Sequence, residues 1–328
     1  MLETIRLPGS GRVTTRLGFG GSGLMGGISE RDSLRLLETA FDAGVRHFDV
    51  APAYGHGQAE RCLGKFLQGK RDQVTVATKY GILPPAQARL LDSVRSLIRP
   101  VVSRMPAVRK RVAQAAAGMR AKARFSAEEA AKSLEHTRRE LGLEAIDVWL
   151  LHEVTAEDLD GSDLLPFLLD ARQRGAIGAF GVGGDRSHLS GLWQRHPEYC
   201  SVLQFGWSVL ERKIEFPGAF LFHYRAVSQA VAVRKLFANQ PTLCRRWSDR
   251  VEADLADPKA LIATLLQAAL AANPEGIVLF SSRVADHIRA NVQAAEEAGA
   301  RERGQRFLDL LTGARNESGI REKSWLSG

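Results

Sequence analysis

Short apolar runs alternate with amphipathic stretches along most of this 328-residue chain. The apolar runs are four to seven residues long, and they predict strands over 15–20, 47–50, 74–79, 146–152, 178–183, 201–206, 220–225 and 276–281. The stretches between them predict helices over 29–44, 58–67, 126–141, 163–174, 186–196, 226–238, 258–272 and 285–298. Eight strands that alternate with helices predict an α/β fold, the closed parallel (β/α)8 TIM barrel.

A few segments lie outside this alternation. Residues 3–14 predict a hairpin with a Gly-Ser-Gly turn, which in a barrel would plug the N-terminal mouth. Residues 240–257 predict a polar loop, and the tail from Arg301 carries one amphipathic patch. Because α/β barrels of this length are commonly single domains, we predict one domain over residues 1–328.

Residues 82–125 form an insertion after the third strand, and two stretches within it, 89–102 and 107–122, have helical spacing. The chain has a net charge of +8, and the segment from 89 to 124 alone contains ten basic residues against one acid. The remainder is close to neutral, so the charge gives no reason to expect nucleic-acid binding. The insertion is either a solvated helical hairpin or a lid that draws anionic substrates to the site.

Four ionisable side chains lie at or just beyond the downstream ends of predicted strands: Asp49, Tyr54, Lys79 and His152. Because the downstream ends of parallel strands share one face of a barrel, we expect these groups to converge there. Each taken alone has an ordinary structural explanation, such as a helix cap or a solvated strand end. His47 and His56 are interpreted as structural or rim residues.

The segments FDVAPAYGHGQAERCLGKFL, VATKYG and SLEHTRRELGLEAIDVWLLH closely resemble the aldo-keto reductase superfamily, in particular its bacterial reductases and sugar dehydrogenases. The resemblance covers nearly the whole chain. It implies a barrel enzyme with a nicotinamide cofactor and a catalytic tetrad, here Asp49, Tyr54, Lys79 and His152. A free phenol has a pKa of about 10, and the Lys79 ammonium would favour its ionised form. Tyr54 would then be the general acid, with His152 binding the carbonyl oxygen or relaying the proton.

The resemblance also implies where the cofactor binds. Gly20 and Gly21 open a glycine-rich loop that allows close backbone approach, and Asp49 lies beside it. Gln204 matches the family glutamine that binds the nicotinamide amide, and Tyr224 matches the aromatic that stacks on the ring, although a core aromatic is the alternative. Where the family usually has Ser-Asn, this chain has Gly183-Gly184, so the amide is held more loosely or by Asp185.

The motif that binds the adenosine end of the cofactor is altered. The family often shows Lys-Ser, a later Arg and Glu-Asn, whereas this chain has Ser281, Ser282 and Arg283, then His287 and Asn291. Arginine makes bidentate contacts with phosphate, so Arg283 is expected to bind a 2′-phosphate. The sequence therefore favours NADP, with NAD as the alternative.

The remaining features restrict location and metal binding. Three widely spaced cysteines without a CxxC motif argue against a disulfide framework, and no clustered His or Cys residues suggest a metal site. The first residues have no apolar signal segment, and no run approaches the roughly 18 apolar residues of a membrane span. We expect a cytoplasmic protein for which membrane binding is unlikely, and the oligomeric state is left open.

Three possible functions follow from these residues. The favoured one is an NAD(P)-dependent oxidoreductase that acts on an aldehyde, ketone or sugar carbonyl, or on the corresponding alcohol. The alternative is a cofactor-binding regulatory or interaction protein on the same scaffold, as in channel β-subunits. A third possibility is that the basic insertion binds a membrane surface or an acidic partner. The variable loops at the active-site face determine which substrate is bound.

Overall fold

Eight parallel strands close into a barrel in the computed structural model, which describes residues 1–83 and 122–318. They are β3 (Leu17–Gly20), β4 (His47–Asp49), β5 (Thr75–Tyr80), β6 (Ile146–His152), β7 (Ile177–Gly184), β8 (Val202–Gly206), β9 (Phe220–Tyr224) and β10 (Ile277–Phe280). Pairing of β10 with β3 closes the ring. The predicted (β/α)8 barrel is confirmed, and each of its strands lies within a residue or two of its predicted bounds.

Helices surround the barrel on its outer side. In chain order they are α1 (Glu30–Asp42), α2 (Ala59–Leu67), α3 (Ala127–Leu141), α4 (Ala156–Leu159), α5 (Leu164–Gln173), α6 (Arg186–Arg195), α7 (Ala230–Asn239), α8 (Pro241–Val251), α9 (Pro258–Ala272), α10 (Ala285–Glu296) and α11 (Ala300–Ser318). The boundary residues of α3 follow from its sequence. Ser126 accepts a hydrogen bond from the Glu129 N–H, and Gly142 ends the helix at a φ of 64°.

A two-stranded hairpin, β1 (Thr4–Arg6) and β2 (Val13–Thr15), closes the N-terminal end of the barrel. Leu7, which follows β1, is 2% exposed and packs inside the barrel against the inward-facing residues of the strands. Gly9, in the turn, has a φ of 72°, and a Cβ there would overlap the carbonyl oxygen of Gly178. The predicted plug is therefore confirmed.

The prediction of a polar loop over 240–257 is wrong, because residues 241–251 form α8. Its buried side chains, Cys244, Trp247 and Val251, recur at spacings of three and four, but arginines lie between them and obscure the apolar stripe. Trp247 packs edge-on against Phe307 of α11, with ring centroids 5.5 Å apart. The tail from Arg301 forms the long helix α11, which packs mainly against α9.

The insertion lies almost entirely outside the described residues. Its two predicted helices lie outside them too, and so do the residues to which the lid hypothesis refers. Its ends come together at the downstream end of β5, where the Ala123 N–H donates to the Gly81 carbonyl oxygen over 2.7 Å. Ile82 and Lys122 form an antiparallel bridge beside that bond. The insertion therefore leaves and rejoins the barrel on the face where the strands end, and the single-domain prediction stays a prediction.

Candidate active site

A buried ion pair lies at the downstream mouth of the barrel, between the ends of β4 and β5. The Lys79 ammonium donates to both carboxylate oxygens of Asp49, over 2.7 and 2.8 Å, and to the carbonyl oxygen of Val50 over 3.1 Å. Side chains alternate along a strand, so His47 and Asp49 share one face of β4, as Thr75 and Lys79 share one face of β5. The ion pair is the uppermost layer of the barrel interior.

Burial alone would lower the pKa of the Lys79 ammonium, but the opposing charge of Asp49 and a hydrogen bond to the Tyr54 phenol outweigh it and raise that pKa. Lys79 therefore stays charged although it is 2% exposed. Beneath it, burial and the nearby ammonium lower the pKa of His47 to about 3. His47 is neutral, hydrogen-bonds with Thr75 over 2.9 Å and packs against the Phe222 ring at a tilt of 35°, as its structural interpretation expected.

Tyr54 and His152 complete the group of four. The Tyr54 ring centroid lies 5.1 Å from the Lys79 nitrogen and 6.3 Å from the centroid of the His152 ring, which is nearly perpendicular to it. Gly55 fixes the Tyr54 turn against the glycine-rich loop. It has a φ of 56°, and a Cβ there would lie 2.5 Å from the Cβ of Met25. The structure thus brings all four predicted residues together.

The residues predicted around the nicotinamide lie at the same end of the barrel. Gln204 donates from Nε2 to Asp49 Oδ2 over 2.7 Å, and a Cβ on Gly21 would lie 3.0 Å from the Asp49 carbonyl oxygen. Gly20 pairs with Asp49 across β3 and β4. Tyr224 is half-buried, and its pKa is raised by burial, then by the charges of Glu153 and Tyr54. Its ring therefore lies within electrostatic range of the tetrad.

The residues predicted for the adenosine end form a rim where β10 ends. The Arg283 side chain lies against the glycine-rich loop, where a Cβ on Gly26 would be 3.3 Å from its Nη2 atom. Ser282 accepts from the Val284 N–H over 3.0 Å and shapes the turn into α10. Ser281 is exposed at the strand end. His287, which is exposed, and Asn291, which is half-buried, lie on α10. Within residues 1–83 and 122–318, neither of these two α10 residues hydrogen-bonds to the tetrad.

The sequence model of the Aldo/keto reductase family matches residues 16–215. The chain belongs to this family. It is 31% identical over 184 residues to the D-threo-aldose 1-dehydrogenase of a Pseudomonas species, a match that covers 53% of this chain and 51% of the relative. Over 191 residues it is 27% identical to L-galactose dehydrogenase of Arabidopsis thaliana, covering 56% and 49%. The chain thus spans about half the length of these relatives.

Solved aldo-keto reductases share the fold of this aldo/keto reductase over nearly its whole length. The holo form of AKR11C1 from Bacillus halodurans superposes with a TM-score of 0.67 at 20% identity, covering 94% of this chain and 96% of that one. An enzyme from Klebsiella pneumoniae in complex with NADPH gives 0.61 at 18% identity, covering 95% of both chains. The predicted family resemblance is confirmed.

Sequence reasoning missed a carboxylate in this aldo/keto reductase. Asp185, the residue suggested as holding the nicotinamide amide, caps α6 by accepting from the Ser187 N–H over 2.8 Å. The Glu153 carboxylate instead lies over Gly184, and its Oε2 accepts from the Asp185 N–H over 3.1 Å. The signal was present, because Glu153 directly follows His152, but only the register of β6 against β7 places it at Gly184.

A second missed group lies behind the site. Glu60 of α2 is 2% exposed and accepts hydrogen bonds from Thr78 over 2.7 Å and from Thr137 of α3 over 3.1 Å. Thr78 directly precedes Lys79 on β5. Burial is the largest effect on the Glu60 carboxyl and raises its pKa to about 7, against the hydrogen bonds of the two threonines, which lower it.

The raised pKa of Glu60 predicts how stability depends on pH. The folded protein binds this proton more tightly than the unfolded chain, so the linked stability is fully present below pH 4.5 and is lost as pH rises through about 7. Glu60→Gln keeps an acceptor for both threonines and removes the buried charge. We predict that it stabilises the protein by roughly 3 kcal/mol at pH 8 and much less at pH 5, measured by urea unfolding.

The control is Glu128→Gln, which removes an exposed carboxylate from α3. A stability gain in Glu60→Gln that is equal at both pH values would contradict the assignment of this titration to Glu60.

Proposed function

We propose that this protein is an NADP(H)-dependent oxidoreductase that reduces an aldehyde, ketone or sugar carbonyl, or oxidises the corresponding alcohol. The observation that carries the proposal is the buried Asp49–Lys79 ion pair, whose ammonium hydrogen-bonds the Tyr54 phenol. A carbonyl reductase needs a proton donor beside the reacting carbonyl, and this arrangement supplies one.

Each member of the tetrad has a role in this proposal. Asp49 keeps Lys79 charged and in position, and the ammonium stabilises negative charge on the Tyr54 oxygen as the proton leaves. Tyr54 donates that proton to the carbonyl oxygen, or accepts it in the reverse direction. His152, which faces the Tyr54 ring, orients the carbonyl by a hydrogen bond.

The residues at the barrel mouth suit a nicotinamide dinucleotide, which when bound supplies or accepts the hydride. The glycine-rich loop leaves room against Arg283 that a side chain at Gly26 would fill, and a guanidinium there suits phosphate. We assign to the cofactor the residues Gly20, Gly21, Asp49, Gln204, Tyr224, Ser281, Ser282, Arg283, His287 and Asn291. The neighbour solved in complex with NADPH supports NADP(H) as the cofactor.

The relatives support a carbonyl or sugar substrate, because two of them are dehydrogenases of an aldose and of L-galactose. No helix in the described ranges is long and apolar enough to cross a membrane. A cytoplasmic location is part of this proposal. The regulatory alternative is less favoured, since a protein that only binds the cofactor has no need of a charged lysine beneath the phenol.

Replacing the phenol tests the proposed general acid. We predict that Tyr54→Phe lowers kcat for carbonyl reduction by about 10²–10⁴-fold, because the proton donor is lost, and that it leaves cofactor affinity within a few-fold of wild type. Steady-state kinetics on a panel of aldehydes, ketones and aldoses, with fluorescence titration of NADPH, would measure both. Tyr199→Phe, which removes a buried phenol elsewhere, is the control. Near-normal turnover by Tyr54→Phe would exclude Tyr54 as the acid.

A second substitution tests the choice of dinucleotide. We predict that Arg283→Ala raises the Kd of NADPH by about 10–100-fold and changes the Kd of NADH much less, because a charged hydrogen bond to the 2′-phosphate is lost. Arg289→Ala, which removes an exposed arginine paired with Asp286 on α10, is the matched control. Equal weakening of both dinucleotides would mean that Arg283 does not distinguish them.

A further inference from the structure

The carboxylate of Glu153 is held in a defined position, although the residue lies in a connecting loop. Glu153 directly follows His152 and has a φ of 57°, a left-handed conformation that is unfavourable for this residue type. Its own N–H donates to the Gly183 carbonyl oxygen over 2.8 Å, and its Oε2 accepts from the Asp185 N–H. These bonds hold the carboxylate against the end of β7.

The end of β7 has no side chains of its own at two consecutive positions, and acceptor oxygens occupy the space beside both. A Cβ at Gly183 would lie 3.4 Å from Oε1 of Gln204, and a Cβ at Gly184 would lie 3.0 Å from Oε2 of Glu153. The orientation of the Gln204 amide is set by Nε2, which donates to the Asp49 carboxylate. Two acceptors therefore lie beside adjacent residues of one strand.

Both acceptors belong to the same site as the tetrad. Gln204 is joined to it through Asp49. The pKa of the Tyr224 phenol is raised first by burial and then by the negative charge of Glu153, so Glu153 lies close enough to act on Tyr224. In the described part of the chain, Oε1 of Glu153 accepts no hydrogen bond from protein, so the half-buried carboxylate retains acceptor capacity toward a ligand.

A spare carboxylate oxygen suits an N–H donor of a ligand. The nicotinamide of the proposed cofactor carries such a donor, the amino end of its carboxamide. We propose that Glu153 is a cofactor-binding residue whose carboxylate accepts a hydrogen bond from the carboxamide amino group. This inference rests on the proposed function and deepens it, because it assigns a charged acceptor to a position where Gly183 and Gly184 provide none.

The test compares two dinucleotides that differ only in this amino group: NADPH and its 3-acetylpyridine analogue, in which a methyl group replaces it. Both are titrated into the full-length protein, and the ratio of their Kd values is the readout. We expect wild type to prefer the carboxamide by at least about tenfold, as a hydrogen bond to a charged group implies. In Glu153→Ala that preference should fall by about tenfold, without any measurement of turnover.

Two further variants separate the hydrogen bond from a structural effect. Glu153→Asn suits the left-handed backbone but is one methylene shorter, so it should fold and also lose the preference. Glu153→Gln keeps an acceptor at the same reach and should retain most of it. Glu157→Gln removes an exposed carboxylate paired with Arg195 and should behave as wild type.

The outcomes are distinguishable. A ratio in Glu153→Ala and Glu153→Asn equal to that of wild type would overturn the role of Glu153 and leave the proposed function standing. A wild-type protein that binds neither dinucleotide would overturn the proposed function, and the role of Glu153 with it. Loss of the preference in both short variants, with retention in Glu153→Gln, would support the inference.

Discussion

The site depends on one ion pair in the barrel interior. A buried charge is costly unless it is paired and its hydrogen-bonding capacity is satisfied. The Lys79 ammonium meets that condition, because it donates to the Asp49 carboxylate, to the Val50 carbonyl oxygen and to the Tyr54 phenol. Gln204 donates to the same carboxylate. The arrangement therefore fixes Tyr54 and Gln204, which reach the pair from distant parts of the chain.

The barrel brings the ends of β4 and β5 together and so makes the Asp49–Lys79 pair possible. The side chains packed below the pair support it. Leu7 of the N-terminal hairpin fills the lower end, and neutral His47, packed against Phe222, fills the space beneath the pair. Glu60 of α2 supports the same strand from outside through Thr78. One face of β5 therefore carries a charged lysine, and the other carries a threonine that donates to a carboxyl whose pKa is raised to about 7.

The sequence predicted what depends on local pattern. Strand ends are visible as apolar runs, and Asp49, Lys79 and His152 stand at those ends, so parallel topology alone predicts that they meet. Trp247 was missed because its apolar stripe is interrupted by arginines. Glu153 and Glu60 were missed because their partners, Gly184 and Thr78, lie on neighbouring strands or helices, and register and helix packing are not encoded within any one segment.

The most direct test of the central claim removes the ion pair without leaving a buried unpaired charge. The double variant Asp49→Asn with Lys79→Met keeps similar volumes and an acceptor for Gln204, so it should fold. Because Asp49 is also assigned to the cofactor, its reaction is measured at saturating NADPH. Single-turnover reduction of an active carbonyl, started from the NADPH complex, should then be at least about 100-fold slower than in wild type. A folded double variant that binds NADPH and reduces the carbonyl at the wild-type rate would contradict the account.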